Sequence, residues 1–245
     1  MNCKQLRRSK KIAWLFFPYY RLKAIWDVRK YKSEIGEFFD DSCGIIHIGA
    51  HHAEERFDYA KLKKKVLWIE ANPSHEAKIT ANLRGFPRQK VIIGLLGSTE
   101  LAQRRFFISN NSGSSSSVFD FAEHTELWPE VSMINICELP QTTLPQLLQK
   151  HRIKISEYDS LVLDIQGAEL DVLKGIPDLK KYFKKIQLEA ADFKIYDGAP
   201  LKKEIDQYLF SKGFKNLESK AFKTNKLQTK KCMNCKYTLI KDDQS

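Results

Sequence analysis

Residues 159–169 read Asp-Ser-Leu-Val-Leu-Asp-Ile-Gln-Gly-Ala-Glu, an apolar run that ends on an acid and continues through a glycine to a second acid. A short apolar run of this kind predicts a strand buried in a sheet. Asp164 follows the run directly, so it is expected where the strand leaves the sheet. Ligands of open α/β sheets bind outside the carboxyl ends of the strands. Asp164 is therefore a candidate site residue; the alternative is that it only ends the strand.

Segments of strand and helix character alternate along the chain after residue 42. Strands are predicted over residues 44–50, 65–71, 91–96, 105–108, 160–165, 185–190, 214–217 and 237–240. Helices are predicted over 52–64, 72–84, 144–151, 168–174 and 200–212. Asn72 and Pro73 have the residue types expected at a helix cap and first helical position. The alternation predicts an α/β fold whose mostly parallel sheet carries helices on both faces.

The first 41 residues differ in texture from the rest of the chain. Aromatic and apolar residues recur there near helical spacing, with a break at Pro18; they are Trp14, Phe17, Leu22, Ile25 and Trp26. Residues 1–41 are interpreted as a basic, aromatic-rich helical extension, and residues 42–245 as one α/β domain with a basic C-terminal segment. A chain of 245 residues supports one sizeable core but not a second full domain.

The net charge of +11 lies at the two ends of the chain. Residues 1–40 contain ten Lys and Arg against four acids, residues 215–245 contain eight against three, and residues 41–214 contain 23 of each sign. Basic ends attract nucleic acid or an anionic membrane surface, although simple solvation of the ends explains them equally well. No run of about 18 apolar residues occurs, so no membrane span is predicted and the protein is expected in the cytoplasm.

The cysteines and histidines do not predict a metal site. Cys232 and Cys235 form one CxxC pair beside several lysines, and the other three cysteines supply no second pair for zinc. The pair is interpreted as ordinary cysteines of a lysine-rich tail. His51 and His52 are adjacent, and the side chains of adjacent residues rarely point the same way, so a polar loop role is expected for them.

Two features near the first strands indicate a nucleoside-containing cofactor. Gly49 ends the first strand, and a glycine turn lets a ligand approach the backbone closely. Glu70 ends the second strand, and an acid roughly twenty residues after the glycine accepts hydrogen bonds from the ribose hydroxyls. Further glycines at dinucleotide spacing are missing, and no GxxxxGK[ST] motif occurs. A cofactor with a ribose but no phosphates, of which S-adenosylmethionine is the common one, fits better than a dinucleotide.

Three blocks of sequence resemble the ordered motifs of FkbM-type methyltransferases. They are Ile48-Gly-Ala-His51, Trp68-Ile-Glu-Ala-Asn-Pro73 and Leu163-Asp-Ile-Gln-Gly-Ala-Glu-Leu-Asp-Val-Leu-Lys-Gly175. The likeness continues through Gln187-Leu-Glu189, Tyr196 and Gly213-Phe214, and covers roughly residues 43–240. It implies a class I, Rossmann-like methyltransferase fold that uses S-adenosylmethionine. It also implies methylation of hydroxyl groups, often on sugars or sugar-bearing natural products.

The resemblance carries site roles over by position. Gly49 and Ala50 are expected to line the methionine part of the cofactor, and His51 of the same motif is counted among the cofactor-binding residues. Glu70 is expected to hold the ribose and Asn72 to flank the adenosine. Asp164 is expected to face the reactive methyl group and the acceptor.

Four other positions carry expectations of their own. His47 stands where the family often has an acid, which removes a carboxylate able to contact the cofactor's amino group. Ala53 stands where a glycine is common, and its methyl group crowds the loop. Glu169 suits the first turn of a helix, where a negative charge is stabilising. The serine-rich residues 114–117 are either a linker or a loop that faces the acceptor.

Methylation of a hydroxyl benefits from a general base within hydrogen-bond reach. The candidates at the carboxyl edge of the sheet are Asp164, Asp192 and His124. A divalent ion held by Asp164 with Glu189 or Asp192 would also lower the pKa of the hydroxyl. The sequence leaves that metal dependence open, and no metal ligands are assigned.

Three functions are compatible with the sequence. The first is an O-methyltransferase acting on a hydroxyl-bearing small molecule or glycan. The second is a nucleic-acid methyltransferase that uses the basic ends; the neutral centre of the chain argues against it. The third is a non-catalytic module on the same fold that contacts a membrane surface through the basic N-terminus. Membrane contact is also compatible with the first function.

Overall fold

The computed structural model describes residues 17–31 and 37–240. The predicted helical character around Trp14 and the basic cluster between Arg7 and Lys11 lie outside the described residues. No described helix is both long and apolar enough to cross a membrane.

Ten strands and seven α-helices are formed by the described residues. The strands are β1 (Gly44–Ile48), β2 (Lys65–Glu70), β3 (Gln89–Ile93), β4 (Leu95–Leu96), β5 (Leu101–Ser109), β6 (Met133–Thr142), β7 (Ser160–Leu163), β8 (Lys185–Ala191), β9 (Phe214–Thr224) and β10 (Lys231–Leu239). The helices are α1 (Phe17–Lys30), α2 (Arg56–Lys61), α3 (Glu76–Asn82), α4 (Leu144–Lys150), α5 (Glu169–Lys174), α6 (Leu179–Tyr182) and α7 (Lys202–Ser211).

The main sheet has the strand order β3-β2-β1-β7-β8-β10-β9. The first five strands in this order pair in parallel, whereas β10 is antiparallel to both of its neighbours. The predicted mostly parallel sheet is therefore confirmed. The chain order reverses between β1 and β7, which places the topological switch point next to Asp164.

Apolar layers cover both faces of the central strands. In β1, Ile46 and Ile48 belong to one buried cluster, while Ile45 belongs to another that contains Trp68. All five residues of β1 and all four of β7 are buried. Burial on both faces explains why these strands read as continuous apolar runs in the sequence.

A second sheet with the order β4-β6-β5 was not predicted. The predicted strand over 91–96 is two strands in different sheets, because the chain leaves the main sheet at Gly94. Strand β6 carries mostly exposed or half-buried residues, so it has no apolar run to mark it in the sequence. The predicted strand 105–108 lies within the longer β5, in which Phe106 and Phe107 are buried and the first residues are exposed.

The C-terminal segment is a long hairpin and not a lysine-rich tail. Strands β9 and β10 extend well beyond the predicted 214–217 and 237–240. Cys232 and Cys235 are buried in β10, where they pack in the core, so their interpretation as tail cysteines is wrong. Neighbouring lysines stay at the surface; Lys236, for example, pairs with Glu218 at 2.6 Å.

Two helix starts show how local chemistry sets the boundaries. The side chain of Asn72 accepts a hydrogen bond from the Ser74 backbone N–H at 3.0 Å, which confirms the predicted cap. The predicted helix over 52–64 is shorter, because His51 and Ala53 adopt left-handed backbone angles, with φ of 42° and 55°. Residues 51–55 therefore form a turn at the edge of the sheet, and α2 begins only at Arg56.

Candidate active site

Two cavities lie at the carboxyl ends of the parallel strands. Their volumes are similar, about 280 and 270 Å³, and they share the lining residues Ser114, Asp164 and Gln166. The first cavity reaches the ends of β1 and β2, and the second reaches β8 and the hairpin. Two ligands can therefore lie side by side with Asp164 between them.

The lining of the first cavity is acidic. Among the described residues that line it, Glu54, Glu55, Glu70 and Asp164 are acids and none is Lys or Arg. Such a lining favours a cation and opposes phosphate groups. The charge pattern agrees with the absence of dinucleotide glycines in the sequence, and with a sulfonium cofactor.

The backbone after β1 forms one wall of the first cavity. The N–H groups of Gly49 and Ala50 donate to the carbonyl oxygen of Ile69 at 2.9 and 3.1 Å, which ties this loop to the end of β2. Gly49 has φ of 89°, and a Cβ at this position would lie 1.7 Å from the carbonyl oxygen of Asp164. Only glycine fits this close approach, so the predicted glycine turn has a direct structural cause.

Glu70 is held in place by two backbone groups. Its Oε2 accepts from the His51 N–H and its Oε1 from the Asn72 N–H, both at 2.8 Å. Burial raises the pKa of Glu70, although these hydrogen bonds oppose the shift. The carboxylate is thus oriented before any ligand arrives, and each oxygen keeps a lone pair for a further donor. Asn72 itself does not line either cavity; it orients Glu70 and caps the following turn.

The side chain of Asp164 does not hydrogen-bond with the backbone of the turn that ends the strand. Its Oδ1 accepts from the side-chain amide of Gln166 at 2.7 Å, and Gln166 Oε1 accepts from the Tyr196 hydroxyl at 2.6 Å. The backbone N–H groups of Ile165 and Gly167 instead donate to Glu169, at 3.1 and 3.3 Å. Glu169 therefore holds the turn that follows the strand and also lines the second cavity, and burial raises its pKa to about 7.

The charge state of Asp164 is set by its surroundings. Burial raises its pKa, while the hydrogen bond from Gln166 and the nearby His47 oppose the rise. Glu189 lines the second cavity, and its pKa is also raised by burial and then by the negative charge of Asp164. Two acids that share a buried region disfavour double ionisation, so a positive charge between the cavities would be stabilised.

His124 and Asp192 occupy different environments. His124 lines the second cavity, stacks on Phe121 with ring centroids 3.9 Å apart, and places Nε2 3.3 Å from the Ser115 hydroxyl. Burial lowers its pKa to about 4, so it is neutral at pH 7 and a weak base. Asp192 is exposed, accepts from the Lys231 N–H at 2.7 Å and lines neither cavity. The structure therefore brings His124, but not Asp192, near Asp164.

Comparison with known proteins identifies the family to which the chain belongs. The sequence profile of the methyltransferase FkbM domain matches residues 47–215. The chain belongs to the FkbM methyltransferase family. It is an S-adenosylmethionine-dependent methyltransferase of the class I, Rossmann-like fold, and the strand order of its main sheet agrees with that fold. No curated protein matches the sequence.

Several solved methyltransferases are similar in structure at low sequence identity. A putative RNA methyltransferase from Pyrococcus horikoshii is 10% identical, has a TM-score of 0.42, and aligns over 97% of this chain and 84% of its own. Precorrin-6y C5,15-methyltransferase from Geobacter metallireducens is 11% identical, with a TM-score of 0.41 over 89% and 86% of the two chains. The glycopeptide N-methyltransferase MtfA bound to S-adenosylhomocysteine is 10% identical, with a TM-score of 0.40 over 91% and 86%. Similarity at this level does not identify an acceptor.

The residues of the first cavity fit S-adenosylmethionine. Gly49 and Ala50 expose backbone at its wall, and the two oxygens of Glu70 suit the two hydroxyls of a ribose. The acid-rich lining suits the positive sulfonium. His51 and Asp164 also line this cavity, so five of the six predicted cofactor-binding residues meet there and Asn72 supports one of them.

The two departures from the family pattern have local structural causes. His47 does not line the first cavity; it stacks on Trp68 at 4.6 Å and lies 2.9 Å from the Tyr59 hydroxyl on the other face of the sheet. A side chain at position 47 therefore does not reach this cavity, so His47 in place of an acid removes no contact with a ligand bound there. Ala53 is buried and has φ of 55°, a backbone region that glycine adopts without strain.

Sequence reasoning overlooked Gln166 and the two acids after the glycine turn. Gln166 has φ of 54°, which is rare for a residue with a side chain, and such strain is concentrated at functional sites. Glu54 and Glu55 come directly after the turn and line the first cavity. Gln166 lies two residues after Asp164 in the sequence. That spacing alone does not show that its side chain folds back to hydrogen-bond with Asp164.

We expect Glu70→Gln to raise the dissociation constant of S-adenosylhomocysteine by about 10–100-fold, because a charged acceptor is lost and the new amide NH₂ meets a backbone donor. Isothermal titration calorimetry measures the change. Glu76→Gln is the matched control, since Glu76 is exposed at the start of α3 and lines neither cavity. If the folded Glu70→Gln protein binds S-adenosylhomocysteine as the wild type does, Glu70 is not a cofactor-binding residue.

Proposed function

We propose that this protein methylates a hydroxyl group of a carbohydrate or glycosylated metabolite. The observation that carries the proposal is the position of Asp164, whose half-buried side chain lines both cavities. An acid between donor and acceptor suits a reaction that must remove a proton from the attacking group. S-Adenosylmethionine, when bound, supplies an electrophilic methyl group on a positive sulfur.

Asp164 has the features of a general base for this reaction. When the hydroxyl oxygen bonds to the methyl carbon, the carbon–sulfur bond breaks and the hydroxyl proton must leave; Asp164 would take it on its carboxylate. Burial raises the pKa of Asp164, which makes its ionised form a stronger base than an exposed aspartate. The hydrogen-bonded series from Tyr196 through Gln166 fixes the carboxylate's orientation. His124, with a pKa of about 4, is less suited to this role.

The lining of the second cavity suits a hydroxyl-rich acceptor and opposes an anionic one, since its charged residues are the acids Asp164, Glu169 and Glu189. Polar groups from Asn111, Ser114 and Ser115 face the cavity, and the ring of Trp128 lies beside them. Sugars use both kinds of surface, since their hydroxyls form hydrogen bonds and their C–H faces pack on aromatic rings. Among the described residues that line this cavity, none is Lys or Arg, whereas nucleic-acid binding depends on phosphate contacts from such residues. The charge pattern therefore supports a glycan over RNA or DNA.

We expect Asp164→Asn to lower the rate of methyl transfer about 10²–10⁴-fold, because the base is lost while the hydrogen bond from Gln166 is kept. The assay follows labelled methyl groups from S-adenosylmethionine into glycan and lipid-linked glycan fractions. Binding of neutral S-adenosylhomocysteine should stay within a few-fold of wild type. Asp192→Asn is the control and should retain the rate.

Two results would contradict this proposal. A normal rate in Asp164→Asn would exclude the base role of Asp164. Transfer into RNA and not into any glycan fraction would exclude the proposed acceptor.

We also propose that the N-terminal helix contacts an anionic, cytoplasmic membrane surface. Helix α1 exposes Tyr19, Leu22 and Trp26, at 60%, 69% and 57% of their surface, along one side at helical spacing. Its charged residues are mostly basic: Arg21, Lys23, Arg29 and Lys30 against Asp27. An exposed apolar side flanked by basic residues matches the interface of a lipid bilayer. Lipid-linked glycans would then be within reach.

We expect the double variant Leu22→Ser/Trp26→Ser to lose at least about 10-fold in affinity for vesicles that contain phosphatidylserine, because apolar area no longer enters the interface. Vesicle flotation measures the bound fraction. Phe210→Ser is the control, since Phe210 is 70% exposed on α7. Equal flotation of the double variant and wild type, or salt-sensitive binding to RNA but not to vesicles, would contradict membrane contact.

A further inference from the structure

Three histidines converge at the edge of the cofactor cavity. His51 and His52 follow β1, and His75 ends the 3₁₀ turn that follows β2. The ring centroids of His51 and His52 are only 3.9 Å apart, so the expectation that these adjacent side chains point apart is wrong. The ring centroid of His75 lies 5.1 Å from that of His51 and 4.9 Å from that of His52. One ring nitrogen from each of the three histidines lies within 4.8 Å of the other two.

We propose that these three histidines bind a divalent transition-metal ion, such as Zn²⁺, Co²⁺ or Ni²⁺. Imidazole nitrogens suit these ions and not Mg²⁺ or Ca²⁺, which prefer oxygen. Nitrogens bound to a tetrahedral zinc ion lie about 3.4 Å apart. The observed spacing of up to 4.8 Å closes to this value by shifts on the order of 1 Å, which side-chain rotation supplies.

Glu54 adds a negative charge to the cluster. Its Oε1 lies 3.1 Å from His51 Nδ1 and 3.6 Å from His52 Nδ1, and its Oε2 accepts from the His52 backbone N–H at 3.1 Å. Metal-binding histidines commonly have a carboxylate beside them, as a hydrogen-bond partner or as a further ligand. Glu54 can fill either place without moving from this turn.

His75 provides an independent indication of a missing partner. Its Nδ1 is buried and forms no hydrogen bond with the described residues. The nearest carboxylate oxygen, Glu70 Oε1, is 3.8 Å away, which is too far for a hydrogen bond. Buried polar atoms in folded proteins nearly always have a partner, and a metal ion satisfies an imidazole nitrogen that has none within the protein.

Metal binding at this cluster would join two separate parts of the cavity wall. The loop after β1 carries Gly49 and Ala50, and the turn after β2 follows Glu70 directly. A bound ion would tie these segments together at the edge of the cofactor cavity, since His51, Glu54 and His75 line that cavity whereas His52 lies beyond it. The site is thus structural in character and separate from the acids that face the methyl acceptor.

Metal binding is tested with untagged protein freed of metal by chelation. Calorimetry with Zn²⁺, and visible absorption with Co²⁺, should show one site. A free metal concentration 100-fold above the dissociation constant should raise the Tm by about 5–10 °C. Mg²⁺ should produce neither effect.

His52→Gln separates the metal site from the cofactor site. We expect it to raise the metal dissociation constant at least about 10–100-fold and to abolish the rise in Tm. Metal-free His52→Gln should bind S-adenosylhomocysteine as wild type does, which shows that it is folded. His151→Gln is the matched control, since His151 is exposed and outside the cluster. Absence of Zn²⁺ and Co²⁺ binding by wild type, or equal loss in both variants, would overturn the proposal.

Discussion

The site depends on the close approach of β1 and β7 at their carboxyl ends. The Asp164 N–H donates to the Ile48 carbonyl at 3.0 Å. Because Gly49 has no Cβ, its backbone can lie directly against the Asp164 carbonyl. The wall of the first cavity and the acid that lines both cavities are thereby joined through the backbone. The backbone of the sheet fixes the positions of the site residues, and their side chains provide the reactive groups.

Buried negative charge is the second constraint. The first cavity has four acids in its lining, and burial raises the pKa of three of them, Glu55, Glu70 and Asp164. Such a cavity is costly to ionise while it lacks a cation, because charge is disfavoured in a low-dielectric environment. A sulfonium would offset that cost, so these acids would favour the charged cofactor over its neutral product.

The central sheet was predictable because β1, β2 and β7 are mostly buried and read as apolar runs, which end at Gly49, Glu70 and Asp164. Gly49, Glu70 and Asp164 were predictable for the same reason, since each follows from its place at a strand end. The second sheet was not, because exposed strands such as β6 lack such runs. Gln166 and the cluster of His51, His52 and His75 depend on left-handed turns and on contacts between distant segments, which spacing along the chain does not reveal.

The central claim is that Asp164 is a base that lies between the two cavities and faces the methyl donor, and its own titration tests this claim most directly. Carboxyl ¹³C NMR, with the resonance assigned by Asp164→Asn, should show a pKa above the ordinary aspartate value of 3.8 in the free protein. Positive S-adenosylmethionine should lower this pKa by stabilising the ionised form, and neutral S-adenosylhomocysteine should lower it less. An ordinary pKa that neither ligand changes would contradict the account.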